Sequence, residues 1–418
     1  MARWRSLLIA GVLIAAGCVA AGCAGAPEPV AGDDLVWATG EITASGPADV
    51  AAMWNRLHPR GPRVRVEALP QSPDDQRQLL AVELNAGIDE FDILDLDLIW
   101  TGEFAENGWL VDLEDLRTEI EEVSLPGPVQ SAIWDGRLWA APFTTDAGLL
   151  YYRTDLVDKP PATWQQLMDL GLRIGEAEGI APFVADGAQY EGMVVQYLEY
   201  FWGAGGDVFD SDCTAVMFQE EPALRAAEFM QTAFRNGFYA PGFDTMTLNG
   251  AADVFRSGQA VFLRGWPYMY RQVNDPDSGS RVAGKVGIAP LPTFDGKGTA
   301  TALGGHNLAV SRFSRNVDAA TEFVRFVSTS PQVQRHLAER HSLAPTMASV
   351  YDDLAGDPLM KQLARVLPQA NTRPSTPQWT TISEEVQQQI FAAYTGDKDP
   401  EAAVDALRQF LVSTDTTC

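Results

Sequence analysis

Residue types that commonly carry out catalysis are present, but their spacing does not match the common catalytic motifs. The chain contains no Gly-x-Ser-x-Gly, no Gly-x-x-x-x-Gly-Lys-Ser/Thr, no Gly-x-Gly-x-x-Gly and no His-Glu-x-x-His, the patterns that position a nucleophile, a phosphate or a zinc ion. The four histidines and four cysteines show no zinc-binding spacing. His336 and His341 are five residues apart, which places them on different faces of a helix. We therefore predict no enzyme, no bound metal and no cofactor.

Carboxylates are the remaining candidates, because glycoside hydrolysis needs only two of them. The chain has 56 Asp and Glu residues, so spacing alone leaves a glycosidase open as an alternative. Glu41 directly follows the first apolar segment, and Asp97 directly follows another. Ligands of α/β sheets bind outside the carboxyl ends of the strands, so Glu41 is a candidate ligand-binding residue.

The elements that must position these side chains alternate between short apolar segments and longer segments of helical period. Strands are predicted at 35–39, 64–69, 91–96, 138–143, 149–153, 260–264, 286–290 and 308–311. Helices are predicted at 75–85, 164–178, 193–202, 222–236, 317–327, 358–367, 383–394 and 400–411. The alternation is typical of α/β units with largely parallel sheets. After about residue 345 only helical patterns remain.

Composition and charge narrow the class of ligand. The chain is 46% hydrophobic and 10% aromatic, and its length suggests two compact units that can each bury a core. Its formal net charge is −26, which argues against nucleic acid or anionic lipid as a partner of the folded part. An uncharged or cationic ligand fits better.

The N-terminus is typical of an export signal. Arg3 and Arg5 precede an apolar run, 7–16, that is too short to span a bilayer comfortably. Small residues directly before Cys23 resemble a bacterial lipobox, so we predict a lipoprotein signal peptide over 1–22 and a lipidated tether over 23–33. Several acyl chains would hold the protein stably on the outer face of the cytoplasmic membrane. An ordinary secreted protein with an incidental cysteine is the alternative.

Two further cysteines remain as thiols once Cys23 is lipidated. Cys213 and Cys418 could pair in an oxidising compartment. The sequence leaves that pairing open, because it does not show whether they lie close enough.

Several segments, in one fixed order, resemble the extracytoplasmic sugar-binding proteins of ABC importers. They are 91–97 with 100–104, 141–146 with 150–153, 255–262 with 265–268, 303–310 and 373–377. Within that family, Trp100-Thr101, Glu191-Gly192-Met193, Ala204-Gly205-Gly206 and Arg373-Pro374 carry a likeness to the trehalose-binding lipoproteins of actinobacteria and, more distantly, to trehalose/maltose-binding proteins.

The resemblance implies an α/β, periplasmic-binding-protein-like fold of type II, with two α/β lobes joined by a hinge and a ligand cleft between them. We expect an N-terminal lobe of 34–145 plus 305–338 and a C-terminal lobe of 146–304 plus 339–418. Closure of the lobes around the ligand would present the closed form to the transporter.

The resemblance also implies a set of ligand-binding residues suited to hydroxyl groups and apolar sugar faces. The polar members are Asp97, Asp146, Glu191 and Arg373; the aromatic platforms are Trp266 and Tyr268; Gly304 and Gly305 allow close backbone approach; His306 lies at the ligand edge or in the core. Asp97 and Glu191 could instead cap helices.

We therefore expect the sugar-binding component of an ABC import system. Its ligand would be a neutral disaccharide, with trehalose or a related α-glucoside favoured. Its partners would be the membrane permease subunits, with the chain itself a monomer. Two alternatives stay open: a secreted glycoside hydrolase using Asp97 and Glu191, and a surface lipoprotein that keeps the fold without transport.

Overall fold

The structure is a computed structural model that describes residues 34–41, 45–208, 218–374 and 376–414. The predicted signal peptide, the tether with Cys23, and the pair Cys213 and Cys418 lie outside the described residues.

Twelve strands lie in the described part of the chain. They are β1 (Leu35–Gly40), β2 (Val64–Leu69), β3 (Ile93–Asp97), β4 (Ile133–Trp134), β5 (Arg137–Leu138), β6 (Ala141–Ala147), β7 (Leu149–Arg153), β8 (Ala181–Val184), β9 (Ala260–Gly265), β10 (Val286–Pro290), β11 (Ala302–Val310) and β12 (Asn371–Thr372).

Sixteen α-helices accompany them in the same described ranges. They are α1 (Ser45–Leu57), α2 (Pro73–Asn85), α3 (Thr101–Glu106), α4 (Arg117–Val123), α5 (Pro126–Ser131), α6 (Trp164–Glu178), α7 (Glu191–Gly203), α8 (Glu220–Arg235), α9 (Leu248–Arg256), α10 (Met269–Asn274), α11 (Val317–Thr329), α12 (Pro331–His341), α13 (Ala348–Asp353), α14 (Pro358–Val366), α15 (Trp379–Thr395) and α16 (Pro400–Ser413).

Local sequence sets many helix ends. The Thr163 hydroxyl accepts from the backbone N–H of Gln166, whose side chain returns the interaction, so α6 begins with a capping box. The helix ends at Gly179, whose φ of 69° is the left-handed conformation that glycine adopts without a steric cost. In α16, Asp399 caps the helix and Pro400 occupies its first position.

The strands form two main sheets. The first has the order β12-β11-β3-β1-β2, with β6 also paired to β11. The second has the order β10-β7-β9-β8. Each sheet has its own aromatic packing: Trp37 of β1 packs edge-on to Phe143 and Phe323, whereas Trp164 packs edge-on to Tyr200 near the second sheet. The predicted fold, with two sheet-containing α/β lobes, is confirmed.

The prediction of largely parallel sheets is wrong. β1 pairs in parallel with β2 and β3, but β11 runs antiparallel to both β3 and β6. In the second sheet β7 runs antiparallel to both neighbours, and only β8 and β9 are parallel. The physical reason is that β6 leaves the first sheet and β11 returns to it, so the two segments run in opposite directions.

The crossing between the sheets is a single extended segment with Gly148 at its centre. β6 ends at Ala147, and β7 begins at Leu149. A Cβ atom at Gly148 would lie 2.3 Å from Glu199 Oε1 and 2.8 Å from Arg264 Nη2, far inside contact distance. Glycine is therefore required here by the close approach of a buried ion pair. The Thr301 hydroxyl, just before β11, donates to the Gly148 carbonyl at 2.8 Å and ties the outgoing and returning segments together.

β3, β6 and β11 differ in extent from the prediction, and short strands, among them β4, β8 and β12, were missed. β6 and β11 are longer and shifted relative to 138–143 and 308–311, because Thr144, Asp146 and His306 interrupt the apolar pattern while remaining in the ladder. The short β8 and β12 were not predicted, and β12 shows that strands do not stop at about residue 345. Among the described helices, none is both long and apolar enough to cross a membrane.

Candidate ligand-binding site

A cavity of about 450 Å³ lies between the two sheets, within the range that small ligands occupy. Nine of the ten predicted site residues line it: Asp97, Asp146, Glu191, Trp266, Tyr268, Gly304, Gly305, His306 and Arg373. Glu41 is the exception: it is exposed and does not line the cavity, although the preceding Gly40 does. Whether the nine residues bind ligand stays a prediction.

Strand register brings four of these residues together. β11 is the shared neighbour of β3 and β6, so His306 lies opposite Asp97 and Gly304 lies opposite Asp146. The adjacent strands β3, β11 and β6 thus bring two carboxyl groups and an imidazole close together in the first sheet. Asp97 also accepts from the backbone N–H of Ile99 at 3.2 Å, so it caps the turn that follows β3 as well as lining the cavity.

Arg373 joins elements on the two sides of the cavity. Its Nη2 donates to Asp97 Oδ1 at 3.1 Å, and its Nη1 donates to Glu191 Oε1 at 2.8 Å. The side chain is 2% exposed, and its Nε is buried without a hydrogen-bond partner among the described residues. An unpaired buried donor costs free energy until a ligand accepts from it. Arg373 thus carries an unpaired donor and is itself one of the residues that line the cavity.

Glu191, the first residue of α7, is largely occupied by protein donors. Besides Arg373, Trp379 donates its Nε1–H to Oε1 at 3.2 Å, and the Ser383 hydroxyl donates to Oε2. These contacts fix the carboxylate, so its clearest role in the geometry is to position Arg373. The helix predicted at 193–202 begins two residues earlier, at Glu191 itself.

Asp146 is the most conspicuous unpaired acid in the cavity. The residue is 7% exposed, and its Oδ1 has no hydrogen-bond partner among the described residues. Burial raises the pKa of Asp146 to about 7, against the opposing attraction of His306 and Arg264. A buried carboxyl group without a partner lacks an O–H or N–H donor, and sugar hydroxyls supply such donors.

His306 carries the balancing positive charge on the first sheet. Its Nδ1 donates to Asp95 Oδ1 at 2.8 Å, and the Thr39 hydroxyl donates to Oδ2 of the same carboxylate. Burial works against the charged ring, but Asp95, then Asp97 and Asp146, outweigh it and raise the pKa of His306 to about 9. The ring is therefore an imidazolium at neutral pH, with 28% of the side chain exposed.

Trp266 presents an aromatic surface that is covered on one side. The guanidinium carbon of Arg264 lies 4.0 Å from the ring centroid, a cation–π distance. Tyr151 donates its O–H to the Trp266 carbonyl at 2.7 Å and fixes the backbone there. A planar ring has two faces, so one face at most remains for a sugar. Tyr268 lines the same cavity and is half-buried.

Packing within the protein requires both glycines of β11. A Cβ atom at Gly304 would lie 2.9 Å from the Trp266 ring. At Gly305, φ is 119° and a Cβ atom would lie 2.3 Å from the Thr144 carbonyl oxygen, so any side chain would clash with β6. These glycines therefore allow β6, β11 and Trp266 to approach one another, in addition to lining the cavity.

The polar cavity-lining residues that the sequence analysis missed include Asp186, Tyr190 and Arg264. Arg264 forms a bidentate ion pair with the buried Glu199 at 2.9 and 2.7 Å, and its Nη1 lies 3.9 Å from Asp186. The Tyr190 hydroxyl donates to Asp186. The available signal was an arginine at the end of the apolar strand 260–264, two residues before Trp266.

The charges around the cavity are close to balanced. Apart from the exposed Asp75, they are three cations and four carboxyl groups: Arg264, His306 and Arg373, with Asp97, Asp146, Asp186 and Glu191. Burial raises the pKa of Asp146 to about 7 and that of Asp186 to about 6, so both carry less than full charge near neutrality. This balance suits an uncharged, hydroxyl-rich ligand.

The expectation that His336 and His341 face apart is wrong. Both rings approach the same oxygen of Asp49, with Nε2 to Oδ2 distances of 3.1 and 3.0 Å. His341 is the last residue of α12, and Asp49 on the neighbouring α1 lies between the two rings. Because the Asp49 carboxylate lies between His336 and His341, both histidine side chains can turn toward it.

Two sheet-containing lobes with a polar and aromatic cavity between them define a solute-binding protein of the periplasmic-binding-protein-like fold. The chain belongs to the bacterial extracellular solute-binding protein family, whose model matches residues 39–334. This confirms the predicted family. The relatives are solute-binding proteins rather than enzymes, and sugar-binding proteins of ABC transport are among them.

Three comparisons illustrate the likeness. A probable ABC transporter-binding protein of Deinococcus radiodurans is 31% identical over 365 residues, 83% of this chain and 85% of that protein. The maltotriose-binding protein of Pyrococcus abyssi is 26% identical over 318 residues, 73% of this chain and 65% of that protein. The maltose-bound MalE3 structure of T. maritima is 33% identical, with a TM-score of 0.85 over 91% of this chain and 99% of that chain.

Proposed function

We propose that this protein captures a neutral disaccharide in the cavity between its lobes and delivers it to the permease of an ABC import system. The observation that carries the proposal is a pair of buried, unsatisfied polar atoms, Asp146 Oδ1 and Arg373 Nε, on two residues that line one cavity together with Trp266. A sugar hydroxyl donates to the first and accepts from the second. The C–H face of a sugar ring covers the open face of the indole.

Among disaccharides, α-linked glucosides are the proposed class, with trehalose first and maltose next. Trehalose rests on the motifs that resemble the trehalose-binding lipoproteins. Maltose rests on the 33% identity with the maltose-bound structure, which spans most of both chains.

The proposed division of the chain is an N-terminal lobe of 34–145 plus 305–338 and a C-terminal lobe of 146–304 plus 339–418. Under this division the Arg373–Asp97 hydrogen bond joins the two lobes, whereas the Arg373–Glu191 bond lies within the C-terminal lobe. Hinge closure of the lobes around the sugar shifts the population toward the form that a transporter recognises.

The proposed location is the outer face of the cytoplasmic membrane, with a lipid anchor at Cys23 and the tether 23–33 before the folded part. A monomer attached by its acyl chains can diffuse in two dimensions to the permease subunits.

A glycoside hydrolase using Asp97 and Glu191 fits the geometry poorly. Both carboxylates accept from the same Arg373 guanidinium, and Glu191 also accepts from Trp379 and Ser383. A general acid must be free to protonate the leaving oxygen, and neither group is free to do so.

The test is thermal unfolding of the purified chain against trehalose, maltose, sucrose, cellobiose, xylobiose, glucose and glycerol phosphodiesters. A ligand at about 100 times its dissociation constant stabilises by about 2.7 kcal/mol. A higher melting temperature with trehalose or maltose alone supports the proposed class, and a response to another sugar replaces the ligand but keeps the sugar-capture role. No response to any sugar, or release of glucose during incubation, contradicts the proposal.

A further inference from the structure

Outside the sugar cavity, the structure brings together a second cluster of potential ligands, from α1 and α12. We infer that Asp49, His336 and His341 bind one divalent transition-metal ion of the zinc type. The ligand atoms of the three side chains lie within 4.8 Å of one another. None of the three residues lines the sugar cavity, so this site is separate from the proposed function.

The distances suit a metal with imidazole ligands. The two Nε2 atoms lie 3.1 and 3.0 Å from Asp49 Oδ2. Zn–N and Zn–O bonds are about 2.0 to 2.2 Å in tetrahedral sites, so neighbouring ligand atoms there are about 3.3 to 3.5 Å apart. The two observed N–O distances are therefore within a few tenths of an ångström of the spacing that the ion requires. Imidazole favours zinc, copper and nickel over magnesium and calcium, which sets the chemical class.

A neighbouring hydroxyl orients one of the rings. Ser45 Oγ lies 3.3 Å from His341 Nδ1. A metal-binding histidine commonly donates its other ring N–H to such a partner, which leaves Nε2 free for the ion. Nδ1–H of His341 donates to Ser45 in that arrangement.

Exposure allows an ion and water to enter. The side chains of Asp49, His336 and His341 are 53%, 30% and 17% exposed. Three protein ligands leave the fourth tetrahedral position to water. The partial exposure of all three side chains leaves that position accessible to solvent.

The place of the cluster in the fold gives the ion a structural consequence. His341 ends α12, and Ser342 follows with φ of 54°. The chain then passes beneath β6, where Ala344 accepts from the Thr145 N–H at 3.0 Å. An ion bound by Asp49 and the two histidines would therefore fix the start of this crossing segment against α1.

The experiment titrates Zn²⁺ into the full chain, purified in detergent and stripped with EDTA, against a chromophoric chelator. The d–d absorption of bound Co²⁺, which differs between tetrahedral and octahedral coordination, gives a second readout. The variants are Asp49→Asn, His336→Gln and His341→Gln. The matched control is His58→Gln, because His58 packs its ring on Trp54 at the end of α1 and does not contact the cluster.

We expect one zinc ion per chain and a tetrahedral cobalt spectrum. Each ligand variant should weaken binding by at least about tenfold, since even outer-shell changes cost about 10- to 100-fold, whereas His58→Gln should bind as the parent does. Absence of saturable binding by the parent, or an affinity equal to that of the parent in all three ligand variants, overturns the inference. Far-UV circular dichroism in EDTA checks folding, and the well exposed Asp49 provides a variant that leaves packing intact. Sugar-induced stabilisation is measured on the same samples, so failure of the metal site and failure of the sugar proposal are distinguishable.

Discussion

Asp146→Asn tests the electrostatics of the cavity through stability and binding together. Asp146 is buried and its folded-state pKa is raised to about 7 from an ordinary value of 3.8. The folded state therefore holds its proton while the unfolded state loses it, so stability falls as pH rises from about 4 to about 7. The difference of 3.2 pKa units, at 1.36 kcal/mol per unit, corresponds to about 4 kcal/mol.

Replacement by asparagine removes this ionisation. The stability of Asp146→Asn relative to the parent should therefore rise by about 4 kcal/mol between pH 4 and pH 8, because only the parent loses stability over this range. Comparing the two pH values cancels any constant cost of the amide N–H₂ group, which lacks an acceptor. The assay is urea unfolding of both proteins at each pH, with Asp253→Asn as the exposed control.

The same variant should bind sugar more weakly at pH 8. A hydrogen bond to a charged group contributes about 1.5 to 3 kcal/mol, so loss of the carboxylate should weaken the affinity by about 10- to 150-fold. A difference in stability that does not change with pH, or unchanged affinity, would refute this account of Asp146.

Three further predictions follow from neighbouring groups. Arg373→Met should weaken sugar binding by about 2 to 4 kcal/mol in calorimetric titration, because Asp97 and Glu191 lose their shared donor and a buried partner is left unpaired; unchanged affinity would remove Arg373 from the site. The raised pKa of His306 stabilises the fold below about pH 6.5 and that contribution is lost as pH rises through about 9, so His306→Gln should flatten the urea-unfolding stability profile in this window, and a profile like that of the parent would contradict it. Gly305→Ala should lower the melting temperature much more than Gly136→Ala, because both have positive φ but only Gly305 places its Cβ against backbone; equal shifts would contradict the close-approach argument.

Much of the fold follows from local pattern, whereas its sheet directions do not. Strands such as 64–69, 149–153 and 286–290 were predicted with the observed bounds, although only 149–153 is mostly buried. The direction of β11 depends on which side of the cavity the chain returns from. That information lies in the crossing at Gly148, not in any strand's own residues.

The candidate site shows the same division. Asp97 and Arg373, which were predicted from family motifs, line the cavity in the structure. Glu41 was predicted only from its position after β1, and it is exposed. Arg264 was missed because its partner Glu199 is 65 residues away in sequence, and periodicity carries no such information. His336 and His341 were judged from helical geometry alone, but Asp49, on another helix, draws the rings together.

The most direct test of the central claim is a crystal structure of the chain with trehalose or maltose bound. The account predicts one disaccharide in the cavity, with a hydroxyl donating to Asp146 Oδ1, another group accepting from Arg373 Nε, and a ring face on Trp266. A sugar bound elsewhere, or a cavity sugar that leaves both polar atoms unpaired, would contradict it.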